Sequence, residues 1–512
     1  MSPTGDAAPD PARTADPTRD DEHDARPPMP HPGAVTTTAA ARGASSHPVP
    51  HPPRAARWRA LLADHAPFLV ALGLGALVRL VVVAAFPPAM MVSDAPSYLR
   101  FLGDLQPSLE RPDGYGLLFL LPLSWVADDV ALFVGVQHVL GLASATALYA
   151  VLRRWGVGRW WAAAAVLPVL LDAMLLVLEH GPLSDAVFTD LVVLAVVLLG
   201  WRRRPTPGVA LAAGLVMGAA VLVRQVGTPL VLAGALFCLL AAPGRWRRVL
   251  PALALVVGFL APVGAYSAWF ASTYGSPGLS GIGGVSAYMR TTTFVDCDRL
   301  ELAPYAEVLC PLEPVGERRD PTDYGWYQIG TGVQSLVVPP GVDRADVLGD
   351  FARQALRAQP LDYARVVLRD VALGFDPQRV DRFEYNTSFK WKFSTYVDRE
   401  PTAWTEPGFA EHGGVQQQTH QPWARVMVLY EDVVYTWGPL VLLCLVVGVV
   451  GAVHPRAGAA RPLVLLLVLV GFGLSVLPDI TTQFVWRYQL PAIVLLPVAA
   501  VLAGSALRRS GP

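Results

Sequence analysis

Lysine is nearly missing from this 512-residue chain: Lys390 and Lys392 are the only two, and arginine carries the rest of the positive charge. The formal net charge is −1, and no run of basic residues recurs along a helix face, which argues against a surface that follows a nucleic-acid backbone. Charge of either sign is scarce. At 16% charged and 53% hydrophobic residues, with a mean hydropathy of +0.40, most of the length is unsuited to the surface of a soluble domain, and lipid is its natural solvent. No short apolar core with a small-residue cleavage site opens the sequence, so no cleaved signal peptide is expected. Cysteine is sparse as well. Cys238 and Cys444 fall in apolar runs, whereas Cys297 and Cys310 lie thirteen apart in a polar stretch, a spacing that suits one loop-closing disulfide in an oxidising compartment.

What is present is a series of apolar runs, near residues 66–87, 129–152, 160–178, 186–201, 208–223, 227–242, 249–271, 433–453, 462–478 and 489–507. Each approaches the length that crosses roughly 30 Å of hydrocarbon at about 1.5 Å per residue. The expected fold is therefore an all-α polytopic membrane protein with about ten spans. Residues 1–57, rich in Pro, Ala, Asp and Thr without apolar periodicity, cannot bury enough surface to offset chain entropy and read as a disordered tail. Arg153, Arg154, Arg159, Arg202, Arg203, Arg204, Arg245, Arg247, Arg248, Arg456, Arg461, Arg508 and Arg509 occupy alternate connections. The opposite short connections carry only Arg100, Arg111, Arg224 and Arg487. The positive-inside rule then places both termini in the cytoplasm, and the arginine bias with the abundance of Ala and Val suggests a high-GC bacterial gene, hence a bacterial inner membrane. The expected organisation is a transmembrane module over 66–271 with a first extracytoplasmic loop at 88–128, a mixed extracytoplasmic loop domain over 272–432, and C-terminal spans over 433–507. The Cys297/Cys310 pair falls on the oxidising side in this arrangement.

Ionisable groups near a bilayer core cost a few kcal/mol and are functional candidates by default. Arg79, Asp172, Glu179, His180, Asp185, Asp190, Arg224 and Arg487 all border the outward face. As a set they point to a substrate cavity, although Arg79 and Arg224 could simply neutralise Asp172 or Asp190 so that the bundle inserts. Asp94 belongs to no span; in "MVSDAPSYLRFL" it is either a functional carboxylate at the water–lipid boundary or the N-cap of an interfacial helix beginning Ala-Pro-Ser. Three weaker patterns are set aside. Asp296-Cys297-Asp298 has the Asp-x-Asp pattern of metal and sugar-nucleotide sites, Asn386-Thr387-Ser388 fits a glycosylation sequon, and His47 and His51 lie in the tail without ligand geometry.

Taken in order, several segments resemble the GT-C superfamily of membrane glycosyltransferases, in particular the bacterial relatives of the dolichyl-phosphate-mannose protein mannosyltransferases and the aminoarabinose transferases. They are Asp94-Ala-Pro-Ser-Tyr98, "RPDGYGLLFLLPL" from Arg111, "LSDAVF" from Leu183, "RQVG" from Arg224 and "WRYQLPAIVLL" from Trp486. Departures are a lone Asp94 where some relatives have paired acids, Asp185 where the family has Glu, and Gly116 where it has Pro. The resemblance, over roughly 66–507, implies transfer of a sugar from a polyprenyl-phosphate carrier to a cell-envelope glycan, glycolipid or protein. It implies inversion with Asp94 as general base and Arg224 and Arg487 on the lipid phosphate. Tyr98 and Tyr115 would stack against the sugar or line the entry, Glu179, His180 or Asp185 would bind sugar hydroxyls or the acceptor, and Arg111 and Tyr488 complete the implied substrate-binding set. It names no certain cofactor and no metal ligand, and leaves a divalent cation open. A lipid or glycolipid transporter and a non-catalytic scaffold are the alternatives; no internal repeat relates the two halves as in many transporters.

Overall fold

The computed structural model describes residues 54–509 except 93, 243, 328–329, 380–390, 398–411 and 413–415. The chain divides into two units, Met1–Arg57 and Trp58–Pro512. All but the last four residues of the first unit lie outside the described residues, as do His47, His51 and the Asn386-Thr387-Ser388 sequon. The second unit holds the helical bundle.

Among the described residues all regular structure is helical. Leu62–Ala85, Val130–Arg154, Arg245–Tyr274, Pro455–Thr481 and Trp486–Arg509 are each long and apolar enough to cross a bilayer. Ala173–Glu179 and Ser184–Gly200 pass together as one segment bent by 107°. Pro207–Val223, Gln225–Ala241 and Gly438–Val453 are shorter apolar helices. Leu69, Leu74, Leu77 and Leu80 lie exposed along the first long helix, and Leu250, Leu253, Val257 and Leu260 along another. Exposed leucines in such rows need an apolar surround, so this is a multi-pass membrane protein.

Among the described residues five helices, or six with the bent pair taken as one span, are long and apolar enough to cross a bilayer, against ten apolar runs in the sequence, and the run at 160–178 shows one cause. It is broken into Arg159–Ala165, Leu167–Leu171 and Ala173–Glu179. Pro168 lacks the amide hydrogen to continue the first piece, and Asp172 adopts an extended conformation and caps the third by accepting from Met174 N at 3.1 Å. Hydropathy registers apolar residues and is blind to a capped break.

Helices Pro207–Val223 and Arg245–Tyr274 meet backbone to backbone. A Cβ at Gly214 would overlap Leu255 O, and one at Gly258 would overlap Leu211 O. In lipid, where apolar burial between helices gains little, such glycine-mediated approach supplies the dispersion contact that holds two helices together.

The segment expected as a mixed loop domain has no strand among its described residues. Gly283–Thr292, Arg344–Ala358 and Pro360–Leu373 pack around Tyr288, Phe351, Tyr324 and Leu309, a second hydrophobic core. Cys297 and Cys310, with Cα atoms 6.2 Å apart, are disulfide-bonded beside it. Asp296 caps the 3₁₀ turn Cys297–Arg299 and pairs with Arg299 at 3.1 Å, so its carboxylate serves the local fold.

The polar residues sort to two ends of the bundle. At one, Arg153 pairs with Asp64, Arg159 bonds Ala63 O, Arg154 bonds Trp201 O and Arg509 bonds Trp155 O. At the other lie Asp94, Asp185, Arg111, Arg224 and Arg487.

Candidate active site

Asp94 precedes the short helix Ala95–Arg100, whose start is set by Pro96. It holds the cap position, but its side chain accepts no backbone hydrogen there. The N-cap alternative thus holds for the position and not for the side chain: Asp94 O accepts from Ser97 N and Tyr98 N, and the carboxylate is left for other partners. Asp94 Oδ2 instead lies 3.0 Å from Arg487 Nη2 and 3.4 Å from Arg111 Nη1. The side chain is 30% exposed, so the group is reachable.

Asp185 enters from the first turn of Ser184–Gly200. Arg224 ends Pro207–Val223 in an extended conformation (φ −151°, ψ 121°), which turns its side chain off the helix axis. Arg487 stands in the 3₁₀ turn Trp486–Gln489 that opens the last long helix. Arg224 Nη1 is 2.7 Å from Asp185 Oδ2 and Arg487 Nη1 is 3.6 Å from the same oxygen; these are ion-pair contacts, since that oxygen has no aligned hydrogen bond. Tyr488 lies under both guanidiniums, at 5.2 Å from Arg224 and 5.3 Å from Arg487, and Trp391 under Arg487 at 4.5 Å. Nε and Nη1 of Arg487 are buried and donate to no acceptor among the described residues. Three arginines thus surround two aspartates, and Arg111 also pairs with Glu110 at 3.3 Å. The crevice among Asp185, Arg224, Arg487 and Tyr488 encloses only about 20 Å³.

Burial by itself would raise the Asp94 carboxyl, but the Arg487 and Arg111 guanidiniums outweigh it and hold the group well below the usual carboxylate range.

Four of the residues singled out in the sequence occupy other surroundings. Tyr98 is covered by Arg111, 5.0 Å from its ring, and its hydroxyl shares a hydrogen bond with Ser184 Oγ at 2.6 Å. Tyr115 is 0% exposed and donates to Gln137 Oε1 at 3.0 Å. Both rings are buried, so neither presents an open face for stacking on a sugar here, and both pack behind the arginines. Glu179 and His180, expected to bind sugar hydroxyls, are 1% and 0% exposed. Glu179 receives Arg79 Nε and Nη2, both at 2.8 Å, and contacts His138 Nδ1 at 2.8 Å. His138 Nε2 lies 3.1 Å from His180 Nδ1, and His180 Nε2 donates to Phe86 O at 2.9 Å. This is a closed buried network with every hydrogen-bonding position used internally.

The expected partners of the intramembrane acids also change. Arg79 pairs with Glu179, Arg224 with Asp185, and Asp190 accepts from Ser144 Oγ at 2.6 Å. Asp172 is gripped by Arg379 through two bonds of 2.9 and 2.8 Å. His138, Gln137, Arg379 and Trp391 belong to these surroundings although no motif singles them out. His138 carried a usable signal, an ionisable residue inside an apolar run; the other three acquire their roles only from residues far away in sequence. No group of three His, Cys, Asp or Glu side chains among the described residues is placed to hold a metal ion.

The departure at Gly116 has a local cause. A Cβ there would overlap the Phe101 ring, so the turn after Tyr115 has no room for a side chain.

No family model and no curated protein matches the chain. Among solved structures it is similar to the apo crystal structure of the Archaeoglobus fulgidus oligosaccharyltransferase, at 12% identity and a TM-score of 0.41. The match covers 88% of this chain and 51% of that one, so the chain spans about half the length of its neighbour, and the functional reading rests on the chemistry of the site itself.

Proposed function

We propose that the protein is a membrane glycosyltransferase of the GT-C kind, moving a sugar from a polyprenyl-phosphate carrier to an acceptor hydroxyl, with Asp94 as general base. The observation that supports it is the convergence of Arg111, Arg224 and Arg487 on Asp94 and Asp185, which sets guanidiniums able to hold a phosphate beside a carboxylate able to take a proton. In the reaction the acceptor oxygen loses its proton to Asp94 and bonds to the anomeric carbon. The carbon–oxygen bond to phosphate breaks, and the electron pair leaves with the polyprenyl phosphate. The phosphate gains one negative charge as Asp94 loses one, so the site stays balanced from substrate to product. Guanidiniums aimed at the departing phosphate stabilise the charge that develops there.

The same contacts explain how Asp94 is held in check. Paired with Arg487 and Arg111 it is a weak base. A donor phosphate draws those guanidiniums away, and the carboxylate recovers basicity only when a sugar is in place to be transferred. Donor binding precedes acceptor activation in this scheme.

The test compares cell-envelope glycans and lipids in a strain lacking the gene, complemented by the native gene or by Asp94→Asn. The native gene should restore a missing glycan, and Asp94→Asn, present in the membrane at the same level, should transfer on the order of 10²- to 10⁴-fold more slowly. Full restoration by Asp94→Asn sinks the base assignment.

A further inference from the structure

Each arginine of the cluster lies over an aromatic ring. Arg111 covers Tyr98 at 5.0 Å, Arg224 covers Tyr488 at 5.2 Å, and Arg487 stands 5.3 Å from Tyr488 and 4.5 Å from Trp391. Tyr98 and Tyr488 come from the same short segments as Asp94 and Arg487. Trp391 does not: it arrives from the long stretch between the helices Arg245–Tyr274 and Gly438–Val453.

How Arg487 is held depends on that indole. The guanidinium makes one hydrogen bond, Nη2 to Asp94 Oδ2 at 3.0 Å, and one looser ion pair, Nη1 to Asp185 Oδ2 at 3.6 Å. Its Nε and Nη1 are the buried donors without an acceptor among the described residues. Arg487 and Trp391 are 8% and 5% exposed, so water screens their contact little, and a cation–π contact gains strength when it is desolvated. A ring beneath the flat face fixes the plane of a guanidinium and leaves its N–H edge open. Phosphate oxygens bind that edge. A carboxylate used for the same purpose would occupy the edge and compete with the phosphate.

Trp391 is itself held from outside the cluster. Phe393 N donates to Glu431 Oε2 at 2.6 Å, and the Phe393 ring stacks on Phe86 at 5.2 Å. Gln421 Nε2 donates to Thr395 O at 3.1 Å. Phe86 follows the first long helix and Glu431 ends the helix Trp423–Glu431. Residues 391–395 thus form a strap pinned to two helices, with its leading ring against Arg487.

We propose that Trp391 is a positioning residue: its indole sets the plane of the Arg487 guanidinium so that the N–H edge meets the donor phosphate, and the strap holds the indole in place. This rests on the transferase reading, and the experiment separates the two. Full-length protein in lipid nanodiscs is titrated with radiolabelled decaprenyl phosphate. In parallel, the Nε–H resonance of Arg487 is followed by NMR in protein carrying isotope-labelled arginine, and is identified by its loss in Arg487→Gln. Trp391→Leu should weaken decaprenyl phosphate binding about tenfold or more and move the Arg487 resonance, because shielding by the indole face is lost. Trp391→Phe, which keeps a ring, should recover most of the binding. In an Arg487→Gln background, with Arg111 and Arg224 left to hold phosphate, Trp391→Leu should change binding less than twofold, since a residue that acts through Arg487 has nothing left to position. Glu431→Ala contacts neither Arg487 nor the phosphate and should weaken binding in the same direction by releasing the strap. It replaces Trp391→Leu if that variant does not fold, and native-like binding by it then overturns the proposal. Equal losses in both backgrounds, or an unmoved Arg487 resonance, overturn the positioning role while the donor reading stands. If the native protein binds no decaprenyl phosphate, the transferase reading falls, and the resonance still decides whether the indole holds Arg487.

Discussion

Arg79 and Glu179 face each other inside the bundle with two hydrogen bonds of 2.8 Å, and His138 contacts the same carboxylate. Removing one partner strands a buried charge, whereas removing both removes the need for either. Arg79→Ala should therefore destabilise the detergent-solubilised protein by about 3–5 kcal/mol, and Arg79→Met combined with Glu179→Leu should recover most of it, read as melting temperatures. Equal losses in the single and double variants would show that the pair is not what holds the first helix to the bent segment. Asp113 offers a pH-dependent counterpart. Burial pushes its carboxyl up to about 6, against the opposing hydrogen bonds from Ser108 N and Tyr266 OH. A raised folded-state value means the protonated form is favoured on folding. That contribution is complete below about pH 4 and is lost as the pH rises through about 6. A rise of about two pH units corresponds to about 3 kcal/mol. Asp113→Asn, which stays neutral, should match the native protein near pH 4 and exceed its stability by up to about 3 kcal/mol near pH 8. Thermal melts at both values decide it: a variant no more stable at the higher pH defeats the argument.

At the scale of elements, the contact between Pro207–Val223 and Arg245–Tyr274 positions Arg224, because Arg224 is the residue at which the first of these helices ends. Gly258 sits where a Cβ would strike Leu211 O, whereas Gly264, two turns along the same helix, has open space around its missing side chain. Gly258→Val should part the helices and lower both stability and transfer. Gly264→Ala should be neutral or stabilising by up to about 1 kcal/mol, from helix propensity alone. Comparable behaviour of the two variants in melting and activity assays would exclude close backbone packing as the cause. The helices themselves were readable from apolar run length, but the break at Asp172 was not. A cap and a proline inside an apolar run hardly change hydropathy, although they end a helix. Asp172 could be read as a polar residue in a costly place. That it bonds Arg379, 207 positions away, could not.

For the whole molecule, the arginine asymmetry predicts an orientation. The structure gathers Arg153, Arg154, Arg159 and Arg509 at one end, against Asp64, Ala63, Trp201 and Trp155. With that end cytoplasmic, a single cysteine placed by Arg203→Cys in a cysteine-free background should resist a membrane-impermeant maleimide in intact spheroplasts and react in inverted vesicles. Thr322→Cys should behave oppositely. The reverse pattern would turn the topology, and with it the side of the membrane on which Asp94 lies, upside down.

Composition determined that this chain lives in lipid, because so few charges cannot cover a soluble surface. Short motifs determined that Asp94, Arg111, Arg224 and Arg487 deserved notice, because an ionisable group at a membrane boundary is costly to keep without a use. Only the tertiary structure decided which of those groups meet. It set Asp94 between Arg487 and Arg111 and Asp185 beside Arg224. It closed Glu179 and His180 into a network of their own, and brought Trp391 beneath Arg487. The reason is physical: an ion pair is fixed by distance in space, and residues such as 94 and 487 reach 3.0 Å only after the helices between them have packed.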